Sequence, residues 1–191
     1  MMWSNRFIFI HIPRTGGDSL TAAFQHHLTI SRDMYQWKHA RASDVRATLV
    51  SEQWNHAEKF TVVRHPWDLV VSWYNHAMTW HEDGDRDWAA PYWERFTARA
   101  ATLGFARFVE DHLRFLHGLS HYECYCNAPG VEPLTLDQAY RRLCEITGDA
   151  PELPHRNASR QFVSPDRQGP LCQRVCRQCA TDVELWERLQ S

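Results

Sequence analysis

The sequence lacks any apolar run that approaches the roughly 18 residues needed to span a bilayer as a helix. It also lacks the leading pattern of a secretory signal peptide, because a strand pattern begins by Phe7 and a glycine turn follows it. No internal repeat, low-complexity segment or domain linker is visible in it. These absences predict a cytoplasmic protein without a transmembrane segment, in which the six cysteines are mostly reduced thiols.

An excess of one charge is missing as well, since 21 Lys and Arg residues stand against 23 Asp and Glu residues, for a formal net charge of −2. This balance argues against a broad surface for nucleic acid and is compatible only with a local basic pocket. The composition, 43% hydrophobic and 23% charged, is that of a globular chain. The length of 191 residues predicts a single domain, residues 1–191, with a sizeable core.

One stretch near the start joins a strand pattern, a glycine turn and a helix pattern. Residues 7–12 form an apolar run rich in β-branched and aromatic side chains, which predicts a buried strand. The Gly16-Gly17 pair allows a sharp turn with exposed amides, and Ser19 opens an apolar pattern with the spacing of one helix face. Amides and a helix start that point to one place favour an anion, so the turn is predicted to bind phosphate. The predicted phosphate-binding residues are Arg14, Thr15, Gly16, Gly17, Asp18 and Ser19.

A second strand, turn and helix follow in the same order. Residues 60–63 predict a strand, Pro66 suits the first helical position, and Asp68 suits the positive end of a helix. Arg64 lies at the strand exit and Ser72 about two turns into the helix, so a guanidinium and a hydroxyl can hold one phosphate. Considered alone, Arg64 is more often an ordinary ion-pair partner. Together the two units predict an α/β fold that binds its ligand beyond the carboxyl ends of parallel strands.

Other segments are interpreted from their composition. Residues 76–93 have little periodicity, which predicts a long loop near the cleft and a candidate substrate lid. Residues 153–160, which include Arg160, are polar and basic, typical either of a loop that closes over an anion or of a solvated loop. A capping-box pattern that begins at Thr135 predicts a helix start, and residues 171–189 are predicted to be helical, with a second capping box that begins at Thr181.

Two of these stretches resemble the sulfotransferases that use 3′-phosphoadenosine 5′-phosphosulfate (PAPS). Residues 11–19, His-Ile-Pro-Arg-Thr-Gly-Gly-Asp-Ser, are similar to the family's 5′-phosphosulfate loop, usually written H-I-P-K-T-G-G-T-S. Residues 60–74, Phe-Thr-Val-Val-Arg-His-Pro-Trp-Asp-Leu-Val-Val-Ser-Trp-Tyr, resemble the 3′-phosphate motif F-x-x-V-R-N-P-x-D-R-x-V-S-x-Y. The interval of eight between Arg64 and Ser72 matches that motif. Two such motifs in order, each after a predicted strand, are more specific than either alone.

A weaker resemblance covers two other segments. Residues 38–44 lie where carbohydrate sulfotransferases, including the heparan uronosyl 2-O type, carry a catalytic histidine before a short helix. This resemblance implies that His39 takes the acceptor proton, whereas spacing alone favours a plain surface histidine. Residues 153–159 resemble a late L-P-H-x-N segment of the same branch. The sequence departs from the family at Arg14, usually lysine, and at Asp18, usually threonine.

The resemblance implies a P-loop-like three-layer fold with a central parallel sheet flanked by helices. It also implies transfer of a sulfuryl group from PAPS to an acceptor hydroxyl, with the desulfated nucleotide PAP as product and no metal required. His39 would be the catalytic base, and Arg14 would stabilise charge on the bridging oxygen. The predicted donor-binding residues are Arg14, Thr15, Gly16, Gly17, Asp18, Ser19, Arg64, Ser72 and Arg160.

The acceptor is less well defined by the sequence. Three tryptophans, Trp80, Trp88 and Trp93, favour a carbohydrate acceptor, because indole rings stack on sugar faces. They would suit a phenol or a lipid headgroup equally well. A carbohydrate hydroxyl is therefore an expectation that the resemblance to carbohydrate sulfotransferases supports.

Two alternatives belong to other functional classes. A phosphotransferase with a P-loop-like fold is opposed by the absence of G-x-x-x-x-G-K-[ST] and of an acidic strand-end residue suited to Mg²⁺. A non-enzymatic interaction module could instead be stabilised by zinc bound to cysteines. Its candidate ligands are Cys172, Cys176 and Cys179, with Cys124 or Cys126 to complete the site. Buried thiols or an occasional disulfide are the plainer interpretation of these cysteines.

Overall fold

The computed structural model describes residues 2–28, 38–83, 91–155, 159–164 and 166–191. The strands are β1 Met2–Trp3, β2 Phe7–Ile10, β3 Glu58–Val62 and β4 Glu132–Leu134. The helices are α1 Gly17–Ala23, α2 Ala42–Thr48, α3 Ser51–His56, α4 Pro66–Asp83, α5 Pro91–Phe115, α6 His121–Tyr125, α7 Leu136–Thr147, α8 Pro170–Gln178 and α9 Ala180–Gln190. A short 3₁₀ turn, Gln25–His27, follows α1.

The strands form one sheet in the order β1-β2-β3-β4. Strands β2, β3 and β4 run parallel, with Phe9 opposite Phe60 and Phe60 opposite Glu132. Strand β1 pairs antiparallel with β2. Helices lie between the parallel strands in the chain, because a parallel pair needs a crossover connection. The predicted α/β class is therefore confirmed, although the sheet is mixed and not wholly parallel.

Both faces of the sheet are buried, as the continuous apolar run in β2 predicts. The side chains of β2 alternate between the two faces. Phe7 and Phe9 pack with residues of α1 and α7, whereas Ile8 and Ile10 pack with residues of α2, α3 and α4. A further buried cluster joins α4, α5 and α8. Helices thus cover the sheet on both sides and leave the carboxyl ends of its parallel strands for a ligand.

The prediction of one long loop over residues 76–93 is wrong for the part that the structure describes. Helix α4 continues to Asp83 and α5 begins at Pro91, while residues 84–90 lie outside the described ranges. Helix α5 is divided at a kink by Gly104, which has a non-helical φ of 73°. No helix within the described ranges is long and apolar enough to cross a membrane.

Helix boundaries follow the predicted signals at α7 but not at α9. The Thr135 hydroxyl accepts a hydrogen bond from the Gln138 amide at 3.1 Å, and the Gln138 side chain accepts one from the Thr135 amide at 2.9 Å. Gly148 then ends α7 with φ of 75°. The helical prediction for residues 171–189 is confirmed by α8 and α9, but the capping role of Thr181 is wrong, because α9 begins one residue earlier, at Ala180. The Thr181 hydroxyl donates to Glu123 at 3.1 Å instead.

A buried polar chain connects α5, α6 and α9. The Asp182 carboxylate, 2% exposed, accepts hydrogen bonds from the backbone amides of His121 and Tyr122, both at 2.9 Å. It also lies 2.8 Å from Nδ1 of His121, which must donate because a carboxylate can only accept. Nε2 of His121 lies 2.9 Å from Nε2 of His112. Desolvation, followed by the neighbouring His121, lowers the pKa of His112 well below its ordinary value.

We expect the free energy of unfolding to fall as the pH drops below about 6.5. The unfolded chain binds a proton on His112 near the ordinary pKa of 6.5, whereas the folded protein keeps this ring neutral. Protons therefore favour unfolding, by up to roughly 1.4 kcal/mol per pH unit for each such histidine. Urea unfolding between about pH 7.5 and 5.5 measures the slope. His112→Phe should reduce the slope, whereas His56→Ala, at an exposed ring, should leave it unchanged. A free energy that is constant over this range would contradict the prediction.

Candidate functional site

A cleft of about 660 Å³ opens at the carboxyl ends of β2, β3 and β4. This is the place where open α/β sheets bind ligands, and the volume lies within the range of small-ligand sites. The lining comes from the loop after β2, the exit of β3, one face of α4, the start of α7 and the end of α9. The predicted donor-binding residues in the lining are Arg14, Thr15, Gly16, Gly17, Asp18, Ser19, Arg64 and Ser72.

The loop between β2 and α1 is held by its own hydrogen bonds. The Thr15 hydroxyl donates to the Ile12 carbonyl at 2.8 Å, and the Ser19 amide donates to the Gly16 carbonyl at 3.0 Å. Gly16 has φ of 97°, a left-handed conformation that favours glycine. Thr15 and Ser19 are both buried, at 5% and 8% exposure. The predicted glycine turn is therefore present, and the Thr15 hydroxyl is engaged within it.

Gly17 is required by a close approach, not by its backbone angles. A Cβ at this position would overlap the buried His11 imidazole. We expect Gly17→Ala to lower the free energy of unfolding by about 1–3 kcal/mol, because overpacking displaces the neighbouring groups. Without the overlap, Ala would stabilise a helical position relative to Gly.

Urea unfolding of the single and double variants checks this expectation. In a His11→Ala background the ring is gone, so Gly17→Ala should cost little stability or increase it slightly. Equal losses in the two backgrounds would show that the contact between Gly17 and His11 is not the cause.

Arg14 connects the glycine loop to α4 and to the late segment of the chain. Its Nε donates to the Ser72 hydroxyl at 3.3 Å, and its Nη2 donates to the Ser159 hydroxyl at 2.8 Å. The backbone of Arg14 is left-handed, with φ of 68°, which is uncommon for a residue other than glycine. Desolvation lowers the pKa of Arg14 to about 10, while Asp18 raises it and Arg64 lowers it further. The guanidinium therefore remains charged at neutral pH.

Arg64 brings the second motif to the same place. Its Nη1 donates to the Arg14 carbonyl at 3.1 Å. Desolvation lowers the pKa of Arg64, with opposition from Asp68 and a smaller contribution from Arg167. Asp68 itself accepts a bidentate pair of hydrogen bonds from Arg167, at 3.2 and 2.7 Å. Arginines from two separate motifs thus both line the cleft, with the Arg64 guanidinium bonded to the Arg14 backbone and the Arg14 guanidinium bonded to Ser72.

His11 is a buried histidine in the lining of the cleft. The residue is 2% exposed, and its Nδ1 has no hydrogen-bond partner among the described residues. Desolvation, then the neighbouring His39, lowers the pKa of His11 well below its ordinary value, so the ring is neutral. A buried polar atom costs about 1–3 kcal/mol while it is unsatisfied.

His39 lies beside the cleft and against His11. Its Nδ1 is 3.2 Å from the His11 carbonyl, which can only accept, so Nδ1 carries the proton and the lone pair is on Nε2. The two ring centroids are 4.6 Å apart. Desolvation lowers the pKa of His39, opposed by this hydrogen bond, while the residue keeps enough exposed surface to exchange protons with water. A neutral imidazole with its basic nitrogen on Nε2 is the form that a general base requires.

Asn75 is a cleft residue that the sequence interpretation missed. Its side-chain oxygen accepts hydrogen bonds from the amides of Phe162 and Val163, both at 3.0 Å. Its side-chain nitrogen donates to the Val163 carbonyl at 3.2 Å. Asn75 follows Ser72 by three positions, so both lie on one face of α4. That spacing is the signal that could have identified it.

The other predicted residues either do not line the cleft or lie outside the residues that the structure describes. The Arg160 guanidinium pairs with Glu82 at 3.0 Å and does not line the cleft, so its predicted contact with the donor stays a prediction. Trp88 lies outside the described residues, and so does the side chain of Trp93. Residues 156–158 of the L-P-H-x-N segment are also outside the described ranges.

The cysteines are unpaired thiols in this structure. The sulfur atoms of Cys172 and Cys176 lie 3.9 Å apart on α8, and desolvation raises the pKa of Cys179 to about 12. Among the described residues, a different set brings ligand atoms within 4.8 Å of one another: His121, Cys179 and Asp182. The oxygens of Asp182 already accept hydrogen bonds there, and a thiol must lose its proton to bind a metal. This set is thus satisfied as a hydrogen-bonded cluster.

Comparison with known proteins gives no match. No protein-family model matches the chain, no curated protein matches it, and no solved structure matches it. The geometry of the cleft, with its two arginines, its glycine loop and the adjacent imidazole, is therefore the basis for assigning a function.

Proposed function

We propose that this protein is a PAPS-dependent sulfotransferase with a P-loop-like arrangement of sheet and helices. The observation that carries the proposal is the contact between two distant motifs. Ser72 accepts a hydrogen bond from the Arg14 side chain, and Arg64 donates one to the Arg14 carbonyl, in one cleft at the carboxyl ends of the strands. A nucleotide with phosphate groups at both its 5′ and 3′ positions suits two cationic points so joined.

The glycine loop and the two arginines are the groups that would hold the donor. Loop amides and the Ser19 hydroxyl would bind the 5′-phosphate, and the Thr15 hydroxyl would join them by exchanging its hydrogen bond to the Ile12 carbonyl. Arg64 with Ser72 would bind the 3′-phosphate. When bound, PAPS supplies a sulfuryl group that is already activated by a phosphate leaving group. Arg14 would exchange its contacts with Ser72 and Ser159 for the bridging oxygen, where it stabilises developing charge. The protein contributes alignment and charge.

His39 is the residue that we assign as the base. Its Nε2 carries the lone pair and takes the proton from the acceptor hydroxyl. The acceptor oxygen forms a bond to sulfur as the bond between sulfur and the bridging oxygen breaks. The electron pair of the broken bond remains on the 5′-phosphate of PAP, beside the Arg14 guanidinium.

A carbohydrate hydroxyl is the acceptor that we propose. Trp80 is half-buried on α4 and stands edge-to-face with His76, the ring centroids being 5.4 Å apart. Desolvation lowers the pKa of His76 to about 3, and the next largest contribution comes from Arg14. His76 therefore lies near the glycine loop. An aromatic surface beside the donor site suits the apolar face of a sugar ring.

Binding and transfer measurements test the proposal. Calorimetry should show binding of PAP without added metal and much weaker binding of ATP with Mg²⁺. Labelled PAPS should pass its label to a hydroxyl-bearing carbohydrate in an acceptor screen. Binding of ATP with Mg²⁺ in the absence of PAP binding would favour a phosphotransferase instead. Stoichiometric zinc together with no nucleotide binding would favour a structural interaction module.

A further inference from the structure

Asp18 and Lys38 form an ion pair between the glycine loop and the segment that carries His39. The Lys38 Nζ lies 2.6 Å from Asp18 Oδ1, and the two side chains are 39% and 25% exposed. Asp18 belongs to the first turn of α1, where its carboxylate lines the cleft. Lys38 directly precedes His39 in the chain. The pair is therefore a tether from the loop to the proposed base.

A second contact attaches the same segment to the other side of the loop. The hydrogen bond from Nδ1 of His39 to the His11 carbonyl, together with the ring contact at 4.6 Å, fixes one edge of the imidazole. With this hydrogen bond alone, the segment could still rotate about the His11 contact. The ion pair at Lys38 restricts that rotation. Two successive residues, Lys38 and His39, are thus each attached to the glycine loop or to the residue that leads into it.

The ion pair also changes the charge of the cleft. A carboxylate at Asp18 would repel a bound phosphate, since like charges in a partly desolvated cleft are unfavourable. The Lys38 ammonium cancels that charge at 2.6 Å. An isolated surface ion pair contributes little to stability. Its value here lies in orientation, because a small misplacement of a reacting group has a large effect on rate.

We propose that Asp18 is a positioning residue that acts through Lys38 to orient the His39 imidazole toward the acceptor. The inference rests on the proposed function and names a task for the position where this loop departs most from the sulfotransferase pattern. Asp18 in this role contributes to turnover and not to nucleotide affinity.

Substitutions that separate affinity from turnover test the inference. Asp18→Asn removes the charge and keeps the size, so we expect kcat to fall about tenfold. The affinity for PAP should stay the same or increase, because a carboxylate leaves the cleft. Lys38→Met should lower kcat similarly, Lys38→Arg should retain most of it, and Asp18→Asn should have no further effect in the Lys38→Met background. A parallel loss of affinity and turnover in Asp18→Asn, or additive losses in the double variant, would overturn the proposal.

Amide hydrogen exchange provides a readout that does not depend on activity. Asp18→Asn should speed exchange in the peptide that covers residues 38–41, whereas Glu58→Gln should not. Glu58 forms a comparable pair with Arg142, at 2.9 Å, at the opposite end of β3. Unchanged exchange in Asp18→Asn would overturn the tether. A wild-type protein that does not bind PAP would contradict the proposed function instead, so the two failures are distinguishable.

Discussion

Replacing His39 by alanine is expected to lower turnover with PAPS by about 10²–10⁴-fold, the usual contribution of a general base. The affinity for PAP should remain within about twofold of the wild type, because His39 does not line the cleft that would hold the nucleotide. Steady-state kinetics and calorimetry on the same preparation measure the two quantities. His56→Ala is the matched control, since His56 is an exposed histidine whose Nδ1 also contacts a backbone carbonyl, at 2.8 Å. Equal losses of turnover and PAP affinity in His39→Ala would exclude the role as base.

The pH dependence of the wild-type enzyme gives the same assignment a second test. A base works only while it is neutral, and desolvation lowers the pKa of His39 from its ordinary value of 6.5. Turnover should therefore fall with decreasing pH only below pH 6.5. An acid limb centred above that value would require a different base. The limb should be absent from the residual activity of His39→Ala.

Replacing Arg64 by alanine is expected to weaken PAP binding by about 10- to 100-fold, the loss associated with a charge-assisted hydrogen bond of about 1.5–3 kcal/mol. Adenosine 5′-monophosphate lacks the 3′-phosphate, so its affinity should change much less. The ratio of the two affinities, measured by calorimetry, isolates the contact between Arg64 and the 3′-phosphate. The hydrogen bond from Arg64 to the Arg14 carbonyl is lost with either ligand and cancels in this ratio.

Two further variants sharpen the result for Arg64. Arg64→Lys keeps the positive charge but lacks the planar set of N–H donors that a guanidinium provides. Its affinity for PAP should lie between those of Arg64→Ala and the wild type. Arg46→Ala, which removes an exposed arginine of α2, should leave both affinities unchanged. A ratio of PAP to monophosphate affinity that is the same in Arg64→Ala and in the wild type would refute the assignment.

The elements that were predicted correctly are those whose signals are local. An apolar run identified β2, although the strand ends at Ile10 and not at residue 12. The capping box at Thr135 correctly predicted the start of α7. Strand β4 was missed because it has three residues, one of them Pro133, and so shows no apolar run. Proline is tolerated in such a strand because β4 is at the edge of the sheet.

The error at the end of α4 has a physical cause in its partners. The apolar stripe that identifies a helix from its sequence reflects apolar packing. The last turns of α4 are instead contacted by polar groups: Thr79 accepts a hydrogen bond from the Arg160 amide at 3.0 Å, and Glu82 pairs with the Arg160 side chain. A helix supported in this way has the composition of a loop.

The site itself was predictable in part. The motif spacing predicted that Arg14, Arg64 and Ser72 lie at one edge of the sheet. In the structure, hydrogen bonds connect these three residues. The partner of Asp18 could not be inferred, because Lys38 is twenty positions away in a segment without a regular pattern. Ser159 likewise meets the loop only through tertiary packing. Local sequence patterns thus predict the residues of the two motifs. The side-chain contacts that those residues make with distant segments cannot be predicted from such patterns.

The hydrogen bonds of residues that line the cleft join parts of the chain that are far apart in the sequence. Arg14 and Ser159 are separated by 145 positions, and Asp68 and Arg167 by 99. Contacts of such long range form slowly, because the intervening chain must lose entropy before they are made. Helices form with a smaller loss of chain entropy. So does the pairing of β2 with β3, in which Ile10 and Thr61 are 51 positions apart. We therefore expect the cleft to be completed late in folding, so that competence to bind a nucleotide is among the last properties the folding chain acquires.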